Sequence, residues 1–552
     1  QFYGIEINDF AVTVATTALW ISEAQMLRET EEIIRRNIEF LPLKSYTNIR
    51  EGNALHMTWD EVETPSDRPT IYAGRTYIIP EETPTEKVSE PIIAFKEINL
   101  VSPDLHVGPK ADNSLRRVHY DYIIGNPPFV GARWMSEEQK QDVLNIFGKR
   151  WKNVGNMDYV CCWYRCAWKL IRDTRTRVAF VSTNSICQGE QVANLWQPLM
   201  AEGLHIDFAH RTFRWDSESN SKAHVHCVIV GFSSNAQSSP ECMIFDRDKK
   251  LKASHINAYL MDAPDVFIEK RMQPICNVPQ ICLGGQPIDD GNLILSAEEK
   301  EMLLQVEPQA TSFIRPYMMG KDFIDRKPRY CLWLVNANPT SLRACSHIME
   351  RIQRVKDFRL SSKRQSTLKA AECPTLFGAP FECQSDYVAI PKVSSEGRRY
   401  IPIDYLKAEV VPGDKLFCMQ DATLYHFGVL TSNVHMAWIR TVCGRLKSDF
   451  SYSNTIVYNN FPWPTPTDEQ KARIERTAQA ILDARALYPD SSLADLYDEL
   501  TMPPELRRAH QENDRAVMQA YGFDVKTTTE SRCVAGLFRL YSRTIDSEKR
   551  MN

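Results

Sequence analysis

Two rhythms alternate along the first 234 residues: apolar runs of strand length, and longer stretches in which apolar residues return every three or four positions. "FYGIEIN" is a short β-rich run, and Asp9 stands where it can cap a helix carrying Ala11, Ala15, Ala18, Leu19 and Ile21 to Ala24. "TNIREGNAL" predicts a second strand with its turn, and "VHYDYIIGNPPF" a third, separated by a polar, proline-rich insertion from about residue 60 to 115 that predicts mainly loop. A helix over "MDYVCCWYRCAWKLI", a strand "RVAFVST", a helix "QVANLWQPLM" and two paired strands, "HIDFAHRTF" and "HVHCVIVGF", follow. Such alternation predicts an α/β fold with a Rossmann-like sheet over residues 1–234.

From about residue 235 the rhythm breaks. Proline and glycine become frequent, helical pieces such as 340–357 sit among short strands, and the stretch ends at "VYNNFPWP". A mixed α+β second domain over 235–465 is expected. Residues 466–552 return to helix, where "TDEQKARIERTAQAILDARALY" has a Thr/Asp start and Ile474, Ala478, Ile481 and Leu482 at helical spacing.

Composition narrows the class. A chain of 552 residues with 43% hydrophobic and 25% charged residues is long enough for about three domains with real cores. The formal net charge of −4 excludes a uniformly basic surface, so a nucleic-acid partner would be held by a local patch. Fifteen cysteines without a CxxC pair fit reduced thiols in a cytoplasm, and neither a disulfide framework nor a metal site is expected. No run of 18 apolar residues stands out, so no membrane partner is expected. "QFYGIEI" reads as the inside of a domain, and a fragment of a longer protein is expected.

The chemistry concentrates in "GNPPF". Ligands of open α/β sheets bind beyond the carboxyl ends of strands, and Asn126 follows a buried-looking strand at such a place. Pro127 and Pro128 fix the backbone and bring no N–H, so the Asn126 amide oxygen and the Pro127 carbonyl form an acceptor pair suited to the two hydrogens of an aromatic amine. Phe129 adds a flat apolar face. Asn-Pro-Pro alone is also an ordinary turn. Upstream, Glu6 ends a strand where an acidic residue would accept from ribose hydroxyls, and Asn53 lies in the turn after the next strand, within reach of an adenine edge; taken singly, Glu6 is as readily a solvated strand-end carboxylate, and Asn53 is more often a plain turn residue.

In order and spacing, "YGIEI", "GNAL", "GNPPF", "VAFVSTNS" and "HRTFRW…HVHCVIVGF" resemble successive motifs of the γ-class N6-adenine DNA methyltransferases. "IRPYMMGKDFI", "RRYIPIDYL", "AWIRTVCGRLKSDFSYS" and "VYNNFPWP" resemble the target-recognition portion of type IIL restriction–modification enzymes, and the likeness runs from residue 1 to about 465. It implies that Glu6 and Asn53 bind S-adenosylmethionine. It implies too that Asn126 and Pro127 accept hydrogens from the target adenine N6, that Phe129 packs on the flipped base, and that Phe213, or its neighbour Trp215, stacks on it. The family's Gly-rich cofactor loop would lie upstream of "YGIEI", and an upstream nuclease domain is the implied partner in a full-length protein.

Double-stranded DNA is the expected partner. The segment 351–369 carries seven Lys/Arg against one Asp, a candidate phosphate patch or equally a solvated helix face. Arg398, Arg399, Tyr400, Arg440, Arg445 and Lys447 are the candidate DNA-binding residues. Two alternatives stay open at this stage: a non-catalytic DNA-recognition subunit with a degenerate methyltransferase fold, and a methyltransferase acting on RNA or on protein glutamine.

Overall fold

The computed structural model describes residues 2–34, 48–63, 79–80, 95–96, 115–149, 151–215, 225–234 and 241–551. Most of the proline-rich insertion therefore lies outside the described residues. The chain divides into two compact units, residues 1–121 and 122–552.

In the first unit, strand β1 (Gly4–Glu6) leads into helix α1 (Asp9–Ile34) and then strand β2 (Ile49–Glu51), which pairs with β1 in parallel. Helix α1 packs on both strands, as the crossover between parallel neighbours must. The segment Asp9–Glu31 within it is, by length and composition alone, apolar enough to cross a membrane, because threonines and alanines interrupt its bulky residues without adding charge.

The second unit opens with strand β3 (Tyr122–Gly125), followed by helices α2 (Glu137–Phe147) and α3 (Cys161–Ile171) and strand β4 (Arg177–Thr183). Strands β5 (His205–Trp215), β6 (Val225–Ser233), β7 (Cys242–Asp246) and β8 (Lys249–Ala253) complete a sheet of order β8-β7-β5-β6-β4-β3. β3 and β4 run parallel, whereas β6 is antiparallel to both β4 and β5. The sheet continues to Ala253, past the change of sequence rhythm near 234, because β7 pairs in parallel with β5. Tyr164, Trp196, Phe180 and Phe232 fill one core, with Tyr164 stacked on Phe232. β3 is an edge strand, and its Tyr122 and Ile124 are 72% and 81% exposed.

The following domain has strand β9 (Ile281–Leu283), helix α4 (Ser346–Leu360), and strands β10 (Tyr387–Pro391), β11 (Val393–Ser394), β12 (Asp404–Leu406) and β13 (Leu416–Gln420). One sheet runs β9-β13-β10-β12. Helix α5 (Asn433–Val442) precedes the hairpin of β14 (Arg445–Leu446) and β15 (Asp449–Ser451), which pairs with β11.

Helix α4 corrects the reading of residues 351–369 as a plain phosphate patch. Arg359 is fully buried and donates to the carbonyls of Pro287, Ile288, Ala370, Cys373 and Leu376 at 2.7–3.2 Å. Arg351 is tied to Glu299 and the Asn292 carbonyl. Arg354, Lys356, Lys363, Arg364 and Lys369 remain exposed.

The C-terminal helices are α6 (Asp468–Ala486), α7 (Pro504–Ala520) and α8 (Glu530–Met551). The expected cap of α6 is a full box, with Thr467 accepting from Gln470 N–H and the Gln470 side chain answering the Thr467 N–H. A buried polar chain joins these helices to the preceding domain: Arg485 reaches Asp404 and Tyr497, Tyr497 meets His510, and His510 stacks on Tyr400 with ring centroids 4.2 Å apart.

Candidate active site

The first unit brings Glu6 and Asn53 together at the carboxyl ends of two parallel strands: Glu6 pairs with Glu51, and the Gly52 N–H donates to the Glu6 carbonyl. The Glu6 carboxylate turns back to accept from the Ile7 and Asn8 N–H groups, and the Asn53 side-chain oxygen caps the turn at Leu55 N–H. Among the described residues, the Asn53 amide NH₂ and the other Glu6 oxygen have no hydrogen-bond partner.

In the second unit, Gly125 ends β3 opposite Phe180, where a Cβ would stand 3.2 Å from the Phe180 ring. The backbone then turns out of the sheet. Asn126 and Pro128 are exposed, Pro127 is buried and Phe129 is half-buried. Asn126 has no hydrogen-bond partner among the described residues, so its amide faces outward uncommitted while the proline behind it is fixed.

What fixes the loop is Asp158, which sequence reasoning missed. Its carboxylate accepts from the Ala132 N–H at 2.9 Å and from the Ser185 hydroxyl at 2.6 Å, and the Tyr159 N–H donates to the Val130 carbonyl. Ser185 follows β4 and is itself bonded to Thr183. One carboxylate thus ties the segment after Phe129 to the end of the neighbouring strand. The only sequence signal was a lone Asp in "GNMDYV" ahead of a buried helix. Asp158→Ala is expected to slow the chemical step up to about 10²-fold through misplacement of the loop, while binding of duplex DNA changes little. Single-turnover rates alongside equilibrium binding check this, and a loss of equal size in both would refute it.

Phe213 lies at the same end of the sheet. The register runs Thr183 to Cys227 to Phe213, and a β-bulge in β5 falls immediately beside Phe213, between the pairs Cys227↔Phe213 and Ile229↔His210. Bulges re-aim side chains beside active sites. Phe213 is half-buried and Trp215 is 42% exposed, with ring centroids 6.2 Å apart, so both remain available as stacking faces. Cys187, in the turn after β4, is buried and its thiol is pushed up by desolvation, as are those of Cys161 and Cys162; none is poised as a thiolate nucleophile.

Beyond the bulge lies a cleft of about 680 Å³ lined by Asn184, Gln188, Arg211, Lys249, Arg440 and Glu530 among others. A second cleft of about 430 Å³ shares Arg440 and Glu530 with it and reaches Arg398 and Arg399. Of the six candidate DNA-binding residues, Arg399 and Lys447 are exposed. Arg440 is half-buried in a bond to Glu530, and Arg445 is held by Glu396 and the Ser448 carbonyl with its guanidinium 4.0 Å over the Phe450 ring. Arg398 is half-buried, and desolvation lowers its pKa against the pull of Asp449, Asp498 and Asp325. Tyr400 is a correction: it is 2% exposed, and its hydroxyl donates to Asp514 at 2.6 Å, so it is a packing residue and not a DNA contact.

Comparison with known families matches the whole layout. Residues 1–246 match the MmeI DNA-methyltransferase domain, 262–465 the MmeI target recognition domain and 466–547 the MmeI C-terminal domain. The chain belongs to the MmeI family. It is 34% identical over 522 residues to DNA methyltransferase A of Bacillus subtilis (strain 168), covering 94% of this chain and 53% of that protein. It also superposes with a TM-score of 0.78 and 36% identity on the Type IIL restriction-modification enzyme MmeI solved in complex with DNA, covering 99% of this chain and 66% of that one. The MmeI-type order of methyltransferase, recognition and C-terminal domains accounts for the change of rhythm after the first sheet and for the return to helix at 466. The chain spans about half the length of the curated relative and just under two thirds of the solved one.

Proposed function

We propose that the protein containing this chain transfers a methyl group from S-adenosylmethionine to the N6 amino group of an adenine flipped out of duplex DNA, as part of a restriction–modification system. The observation that carries this reading is the Asn126–Phe129 loop, exposed at the carboxyl end of β3 and tied through Asp158 to Ser185.

Bound S-adenosylmethionine would supply a methyl group already activated on a sulfonium, and the uncommitted groups of Glu6 and Asn53 suit its ribose and adenine. The N6 lone pair of adenine is delocalised into its ring. Acceptance of the two amino hydrogens by the Asn126 amide oxygen and the Pro127 carbonyl favours rehybridisation at nitrogen and stabilises charge developing there. Fixed torsions at Pro127 and Pro128 hold both acceptors without reorganisation during the reaction. Phe129, with Phe213 or Trp215, provides apolar faces for a base taken out of its stack. No covalent intermediate is required, in keeping with the buried thiols of Cys161, Cys162 and Cys187, which desolvation pushes away from the thiolate. Fifteen cysteines scattered without a CxxC pair fit reduced thiols, and a cytoplasmic location is part of this proposal.

Labelled S-adenosylmethionine supplied to the intact protein with duplex DNA is expected to place label on adenine N6, read by nucleoside digestion and mass analysis. Label on cytosine, RNA or protein instead, or none at all, refutes the proposal.

A further inference from the structure

Antiparallel strands β10 and β13 end side by side, with Pro391 paired to Leu416. One residue beyond each strand, Lys392 and Lys415 are joined by a backbone hydrogen bond of 2.9 Å from the Lys392 N–H to the Lys415 carbonyl. Like charges placed directly across a strand pair repel and are destabilising. Here a third cation joins them from another domain. Arg133, exposed and seven residues after Asn126, is close enough to Lys392 to add to the repulsion it feels.

The neutralisation is incomplete. Asp414 is the acidic neighbour of the group, and its carboxylate is already engaged by Lys415 at 2.9 Å and by the Gln286 amide. Lys392 is half-buried and has no ion-pair or hydrogen-bond partner for its ammonium among the described residues; burial and the two flanking cations pull its pKa below the ordinary lysine value. Three cations thus gather around the Asp414 carboxylate where the segment after the Asn-Pro-Pro loop meets the recognition domain, and the Asp158 carboxylate on the loop side is taken up by the Ala132 N–H and the Ser185 hydroxyl. The loop carrying Arg133 is held in place by Asp158 through Ala132, one residue away, so the arrangement is not an accident of a free tail.

We propose that Arg133, Lys392 and Lys415 form a clamp for a backbone phosphate of the DNA, bridging the methyltransferase and recognition domains. Lysine ammonium groups act as point charges that suit a phosphodiester, and the guanidinium adds planar donors. An anion shared by cations of two domains would fix the register of the duplex against the loop that receives the base. The clamp rests on the DNA reading above and assigns residues outside those chosen from sequence, none of which came from the ends of β10 and β13.

The experiment measures binding of a fluorescein-labelled duplex to the intact protein by anisotropy across a salt series, for wild type, for Lys415→Gln alone and for the triple variant Arg133→Gln/Lys392→Gln/Lys415→Gln. Thermal unfolding confirms that each variant folds. The triple variant is expected to bind about tenfold or more weaker at low salt, to a similar degree on unrelated sequences, with the slope of log Kobs against log[salt] shallower by about 1 for each phosphate no longer neutralised. Lys415→Gln, at a half-exposed position where the substitution should not unfold the chain, is expected to shift both quantities in the same direction by less. An unchanged slope in either folded variant, or weakening confined to one sequence, overturns the clamp. Failure of the methylation reading shows elsewhere: wild-type protein would then bind DNA with the steeper slope yet leave adenine unlabelled.

Discussion

Asn126→Ala in the intact protein is expected to lower methyl transfer to duplex DNA about 10²–10³-fold, the range measured when one preorganised group that stabilises developing charge is deleted. The effect should fall on the chemical step. Asn126 is exposed and bonded to no described residue, so its truncation removes an acceptor without unfolding β3 or loosening Pro127, which is buried independently. Binding of unlabelled duplex should therefore stay close to wild type, because the truncation leaves the proposed phosphate contacts Arg133, Lys392 and Lys415 in place. Single-turnover rates at saturating S-adenosylmethionine and DNA check the first part, and equilibrium titration the second. A variant that methylates at the wild-type rate would remove Asn126 from the mechanism; one that loses DNA binding and rate together would make it a structural residue.

Arg359→Ala carries the largest expected cost in stability. The side chain is fully buried and donates to five main-chain carbonyls from three segments, 287–288, 370–373 and 376. Truncation strips those carbonyls of their donor and leaves a void beneath α4. At about 1–3 kcal/mol for each buried acceptor left unsatisfied, and with partial relaxation, a destabilisation of about 3–5 kcal/mol is expected. Arg359→Lys should recover little, since one ammonium cannot span carbonyls that a planar fork reaches in several directions. Urea titration followed by tryptophan fluorescence reads the change; a shift within about 0.5 kcal/mol of wild type, the range of an ordinary surface substitution, would refute the role.

Arg359 also marks where reading the sequence reaches its limit. In the linear chain it is one of seven cations in nineteen residues, and nothing local separates it from Arg354 five positions earlier. Burial sorts them, and burial depends on carbonyls up to 72 residues away. Tyr400 is hidden from sequence for the same reason, since its partner Asp514 lies 114 residues further on. By contrast, features whose cause is local were legible. Two prolines after an apolar strand can only end it, which placed the Asn126 loop, and Thr467 with Gln470 spelled out the cap of α6. The site shows the same division: Asn126 and Phe129 could be chosen from their own neighbours, whereas Asp158 matters through Ser185 and Ala132, each 26 or 27 residues distant. The bulge beside Phe213 arises from mismatch with β6, a property of two strands that neither contains alone.

The burial of Tyr400 has a practical consequence for retargeting. Its hydroxyl is spent on Asp514 and its ring on His510, so it behaves as a pivot pinned to the C-terminal helices, with Arg398 and Arg399 riding beside it. A library meant to test whether Arg399 and Lys447 set base preference should vary those two exposed positions and leave the tyrosine untouched. Substitutions there would loosen the hinge on which the neighbouring side chains are aimed, and would return unstable clones in place of new specificities.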